Sequence, residues 1–137
     1  MWKQSYPAIA LASLLISSQA TASDLQGIWA MLPLKSGVAN VIEFGADKAT
    51  VHSFECYGKG EVDQSADPET STYTLSDQTI RLSADGQSAG SLQIKALSAT
   101  ELTLFQAIDG MPNGGTSFVY RKASSVKPLC ELYQEPS

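Results

Sequence analysis

From residue 23 onward, apolar and polar positions alternate in short runs, and clusters of Gly, Asp, Asn or Ser interrupt them. Alternation with a period of two is the mark of a half-buried strand, because successive side chains point to opposite faces of a sheet. The runs predict eight strands in sequence. The first covers 27–32 and is stopped by Pro33 and the Lys35-Ser36-Gly37 turn. The second covers 38–44, with Asn40, Ile42 and Phe44 on one face and Val41 and Glu43 on the other. After the turn at 45–48, the third covers 49–57 and places Thr50, His52, Phe54 and Cys56 on one side. Residues 71–75, 79–83, 91–97 and 101–107 make four more, with Tyr73, Leu75, Ile80, Leu82, Leu92, Ile94, Leu102 and Leu104 pointing inward. The loop 109–115 leads into the eighth, 116–122, and the tail carries Cys130 and a weak signal for a helical turn.

One stretch breaks the pattern. Residues 58–70 hold Glu61, Asp63, Asp67 and Glu69, no base after Lys59, and a proline, Pro68, that discourages pairing, so an irregular acidic loop is expected. Eight strands joined by tight turns form an up-and-down meander. Left flat, such a sheet exposes two unpaired edges, and closing it into a barrel removes them. The expected architecture is therefore all-β, an eight-stranded antiparallel barrel. At that size the interior is either filled by side chains or holds one small ligand.

The start of the chain changes the picture of where this barrel works. Lys3 is followed by a short apolar run and by Ala20-Thr21-Ala22, which reads as a cleaved secretory signal over 1–22. The apolar run falls short of the roughly 20 residues that span a bilayer. The mature part, 23–137, is long enough for one domain with one core. An exported, periplasmic or secreted protein with no membrane span after processing is expected. The whole chain has net charge −5, one unit more negative without the leader, whose only charged residue is Lys3. That balance argues against nucleic acid and anionic membranes, which require basic patches. Both cysteines, Cys56 and Cys130, lie in the mature part, and two cysteines in an exported chain favour one disulfide. There is no C-x-x-C and only one histidine, so a metal or redox pair lacks its spacing, and no cofactor is expected.

Two short stretches carry a resemblance. Leu25-Gln26-Gly27-Ile28-Trp29 resembles the G-x-W opening of the lipocalin and avidin-like barrels, the calycin group, and Arg121 sits near the end of the eighth strand. The resemblance implies that Gly27, Trp29 and Arg121 close one end of the barrel, with the arginine lying across the indole as a cation–π contact. It also implies a disulfide from tail to barrel wall, which Cys56 and Cys130 would supply. The chain departs from true lipocalins in being short and in lacking the long helix most of them pack outside the barrel.

Little in the chain speaks for catalysis, and no enzymatic activity is expected. His52 is the only imidazole, in a strand position typical of a structural histidine. Glu43 and Glu55 read as solvated outer-face carboxylates more naturally than as a catalytic pair. The glycines of 110–115 are followed by no Lys-Ser/Thr and no helix, so they do not cradle phosphate. What the resemblance implies instead is a small apolar or amphipathic ligand inside the barrel. The candidate lining residues are Phe44, Phe54, Tyr73, Leu82, Ile94, Leu104 and Phe118, with Tyr57 and Met111 near a mouth. The alternative is a filled barrel that presents Glu61, Asp63, Asp67 and Glu69 to a basic protein, as an inhibitor or immunity-type factor would.

Overall fold

The chain is described by a computed structural model covering residues 21–135, so all but the last two residues of the predicted leader lie outside the described residues. A four-residue helix, α1 (Ala22–Leu25), is capped by Thr21 and leads into eight strands. These are β1 (Gly27–Met31), β2 (Val41–Phe44), β3 (Lys48–Cys56), β4 (Val62–Ser76), β5 (Thr79–Ala84), β6 (Gln87–Leu97), β7 (Glu101–Ala107) and β8 (Gly115–Ala123). Each pairs antiparallel with the next, and β1 returns to pair with β8, so the sheet is a closed barrel in sequence order.

The tight turns follow from local chemistry. Asp77 and Gln78 have φ of 50° and 65°, and Asp85 and Gly86 have φ of 54° and 77°, the left-handed pairs that match the twist of a two-residue hairpin. Short turns at 45–47, 77–78 and 98–100 gather at the α1 end of the barrel. The longer segments 32–40, 57–61 and 108–114 gather at the other, with the 85–86 turn.

The predicted acidic loop is a strand. Residues 62–70 belong to β4 and pair with β3, from Cys56 opposite Val62 to Thr50 opposite Thr70. β5 reaches only as far as Thr72, so this part of β4 is a sheet edge paired on one side. Pro68 and the acids are tolerated there because an edge needs neither a second row of N–H donors nor apolar side chains. The register shifts twice along it, and both extra residues fall in β4; one of the two bulges contains Pro68.

The core lies inside the barrel at the α1 end. Leu25, Trp29, Met31, Ile42, Phe44, Ala49, Tyr73, Ile80, Ile94, Leu102, Leu104 and Tyr120 form one buried cluster. The inward residues expected on β4 to β7 all belong to it or pack against it. A register shift between Ile94 and Ala96 brings Leu97 opposite Leu102, which keeps both on the inner side. Strand β3 is different: Ala49 and Val51 face the cluster, which by alternation turns Thr50, His52, Phe54 and Cys56 outward. The grouping expected from the sequence holds, and Phe54, expected to line the interior, faces out.

Outside the barrel, Ala39, Cys56, Cys130 and Tyr133 form a second, smaller cluster around the Cys56–Cys130 disulfide. The tail enters it through a short 3₁₀ turn, Cys130–Leu132. The two cysteines are 74 positions apart, so their bond removes much of the freedom of the unfolded chain, by about 4 kcal/mol in the chain-entropy model. Replacing both cysteines with serine is expected to lower the urea midpoint by a corresponding amount. Amide exchange should quicken first in the tail and in residues 37–39. A variant as stable as the parent would show that the bond constrains nothing the fold needs.

Candidate functional site

Strand β1 seals one end of the barrel. The Trp29 indole is fully buried, and its Nε1–H donates to the Leu25 carbonyl at 2.8 Å, so α1 and the indole together plug the opening. The cation on the indole is not Arg121. The register sets Trp29 opposite Lys122 and Ala30 opposite Arg121, and residues paired directly opposite share a face. Lys122 Nζ lies 4.5 Å from the ring centroid and donates to the Gln26 carbonyl at 2.8 Å. Gly27 makes room for it: φ there is +129°, and a Cβ would stand 2.6 Å from Lys122 Nζ. Gly27 and Trp29 lie at the α1 end of β1, and the cation over the indole is Lys122, one residue after the expected Arg121.

The opposite half of the barrel is hollow. A cavity of about 400 Å³ opens at the end away from α1. Its floor and walls are Met31 of β1, Ile42 of β2, Val51 of β3, Leu82 of β5, Leu92 of β6, and Phe118 and Tyr120 of β8. Ala89, Gly90, Ser91 and Gln106 form one side of the rim, and Leu34, Val38 and Asn40 reach in from the 32–40 segment. No Lys, Arg, His, Asp or Glu is among the wall residues.

The 32–40 segment is held in place over this opening. Leu34 N–H donates to Val38 O at 2.9 Å, and Gly37 N–H to Leu34 O at 2.9 Å. β3 grips it from the side through Cys56 N–H to Gly37 O, 2.7 Å, and Ala39 N–H to Phe54 O, 3.0 Å. The backbones come so close that a Cβ on Gly37, where φ is +99°, would meet the Cys56 carbonyl oxygen at 2.6 Å. The Tyr133 hydroxyl of the tail donates to the Lys35 carbonyl at 3.3 Å. Disulfide, tail and segment therefore brace one another at the mouth.

The residues proposed from sequence fall in different parts of the barrel. Leu82 and Phe118 line the cavity. Phe44, Tyr73, Ile94 and Leu104 lie in the solid core instead; Phe44 and Tyr73 meet edge to face at 5.2 Å, and the Tyr73 hydroxyl donates to Gly45 O at 2.6 Å. Burial, with a smaller contribution from Asp47, holds the Tyr73 phenol above its ordinary pKa. Phe54 belongs to neither group, because β3 turns it outward. Tyr57 and Met111 are 42% and 40% exposed at the open end. The Tyr57 hydroxyl donates to Asp63 at 3.0 Å, and that bond is the main reason its pKa is raised. Glu61, Asp63, Asp67 and Glu69 are exposed on or beside the edge of β4.

Several wall residues escaped the sequence reading. Tyr120 alternates with Phe118 and could have been found from that spacing. Val38 shares the face of Asn40 and Ile42 in the predicted second strand and could have been found likewise, whereas Leu34 could not, since no periodicity marks a loop that folds inward. His52 Nε2 pairs with Glu43 Oε1 at 2.6 Å on the outer face, a partnership across β2 and β3 rather than a site. Among the described residues no group of three or more His, Cys, Asp or Glu side chains is placed to hold a metal. No helix among them is long and apolar enough to cross a membrane.

Comparison with known proteins adds the following. The family model described as a lipocalin-like domain matches residues 28–104. Among solved structures, lobster apocrustacyanin A1 is similar at 14% identity with a TM-score of 0.42, over 80% of this chain and 68% of that one. No curated protein matches the sequence.

The sealed end makes a paired prediction. Lys122→Met removes the cation over Trp29 and the donor to Gln26, and is expected to cost about 1 kcal/mol, as an exposed cation–π contact does. Arg121→Met should stay within about 0.5 kcal/mol, the usual range for a surface change. Urea unfolding followed by Trp fluorescence reads both. The opposite order would return the closing role to Arg121.

Proposed function

Because the chain belongs to the lipocalin-like domain family, we propose that it is an exported protein that binds a small, partly apolar molecule in the open half of its barrel. One observation carries this reading: a single barrel is solid at one end and hollow at the other. A barrel used only as a rigid mount would gain stability by filling its interior, since apolar surface taken from water contributes roughly 25 cal/mol per Å². Here the rim instead carries Ala89, Gly90 and Ser91, residues with little to fill the space. The cavity, about 400 Å³, falls within the range of pockets that take small organic molecules, roughly 300 to 1,000 Å³. The leader-like residues 1–22 and the disulfide support export, where an oxidising compartment would keep Cys56 and Cys130 bonded.

The mostly apolar wall with a few polar groups, Asn40, Ser91, Gln106 and Tyr120, supports a binding role. Native mass spectrometry of protein purified without detergent from its own exported fraction should show an adduct of defined mass, released on unfolding. Nile red, a neutral solvatochromic dye, should bind the emptied protein. Leu82→Trp and Val38→Trp both fill the cavity, the second from a loop where folding is least at risk. Each is expected to weaken dye uptake at least tenfold, with a melting temperature within a few degrees of the parent. A bare protein that takes up no dye would overturn the reading in favour of a filled barrel.

A further inference from the structure

The cavity wall combines two properties that together define a ligand class. It carries no Lys, Arg, His, Asp or Glu, and among the described residues it keeps one deeply buried hydroxyl without a hydrogen-bond partner. That donor is Tyr120, 5% exposed and part of both the core cluster and the cavity wall. Among the described residues nothing accepts from its hydroxyl. Buried polar groups are almost always paired with protein or bound molecules, and leaving one unpaired is costly. Burial also raises the pKa of this phenol, so the group is a neutral donor across the physiological range.

Asn40, half-buried just before β2, lies on the other side of β1 from Tyr120. Its Oδ1 accepts the Phe54 N–H at 3.3 Å, an assignment that leaves its amide N–H groups to donate elsewhere. Met31 lies between them: it pairs with Tyr120 across β1 and β8, and its N–H bonds the Asn40 carbonyl. Tyr120 and Asn40 thus each present a donor at this level of the wall.

We propose that the cavity selects an uncharged molecule bearing a hydrogen-bond acceptor, of the ketone or ester class, with the acceptor held by the Tyr120 hydroxyl and the Asn40 amide as a second donor. This rests on the binding reading above. A carboxylate is disfavoured because it would leave water for a wall with no cation to meet it. A pure hydrocarbon fits the apolar surface and leaves the phenol unsatisfied.

Three probes of one skeleton separate these cases: 2-acetylnaphthalene, its isostere 2-isopropenylnaphthalene, and 2-naphthoate, each measured by equilibrium dialysis at pH 7. The ketone is expected to bind about five- to tenfold more tightly than the alkene. The naphthoate should be weaker by about a hundredfold or more, because only its small protonated fraction at pH 7 can enter. Tyr120→Phe should erase the ketone's advantage and leave the alkene unchanged, which a general loss of structure would not do. Equal affinities for ketone and alkene, or a naphthoate that binds as well as the ketone, would overturn the proposal while leaving ligand binding intact. If none of the three binds and Nile red also fails, the binding reading itself falls.

Discussion

Everything in this molecule depends on β1 being paired along both edges. It bonds β2 on one side and β8 on the other, and that seam turns a meander into a barrel. Once the sheet is closed, each strand residue must choose the inside or the outside, and the inside of eight strands is narrow. The same strand supplies the plug. Trp29, with Leu25 beneath it and Lys122 over its ring, fills the α1 end, and Phe44, Tyr73, Leu102 and Leu104 complete that layer. Large residues at one end leave the other end to be filled by loops or by a guest.

How far the sequence foretells this depends on which physical signal each element carries. Alternation predicts all eight strands and the inward residues of β4 to β7, because those strands have one face against the core and the pattern is unambiguous. It fails on the first part of β4, where both faces are exposed and only one edge is paired. Such a strand has no reason to alternate, so its acids and Pro68 imitate a loop. It misleads on β3 for a subtler reason. Phe54 and Cys56 are the conspicuous apolar residues there, and they do meet apolar partners or half-burial, but outside the barrel, where the tail covers part of the wall. Alternation states which residues share a face and not which face is inside.

The site was less legible than the fold, for a related reason. A candidate list drawn from inward positions mixes the solid and the hollow halves of the barrel, as Leu104 and Leu82 show. Depth along the barrel axis separates them, and depth depends on register and stagger, which no periodicity encodes. Arg121 and Lys122 illustrate the same limit on a smaller scale. Adjacent basic residues at the end of a strand face opposite sides, and only the pairing of β8 with β1 decides that Lys122 meets the indole.

A hollow half must also be kept open, and the second cluster explains how. An unsupported segment of the length of 32–40 would collapse onto the apolar wall, covering Met31, Ile42 and Phe118. Instead it is drawn sideways onto β3 by the Gly37 and Ala39 bonds, and β3 is in turn fixed to the tail by Cys56–Cys130. Leu34, Val38 and Asn40 alone of its residues line the opening. A mouth held this way loses little conformational freedom when a ligand enters, so more of the contact energy remains as affinity. The disulfide therefore bears on binding as well as on stability: it lies outside the barrel and holds the segment that shapes the entrance of the cavity.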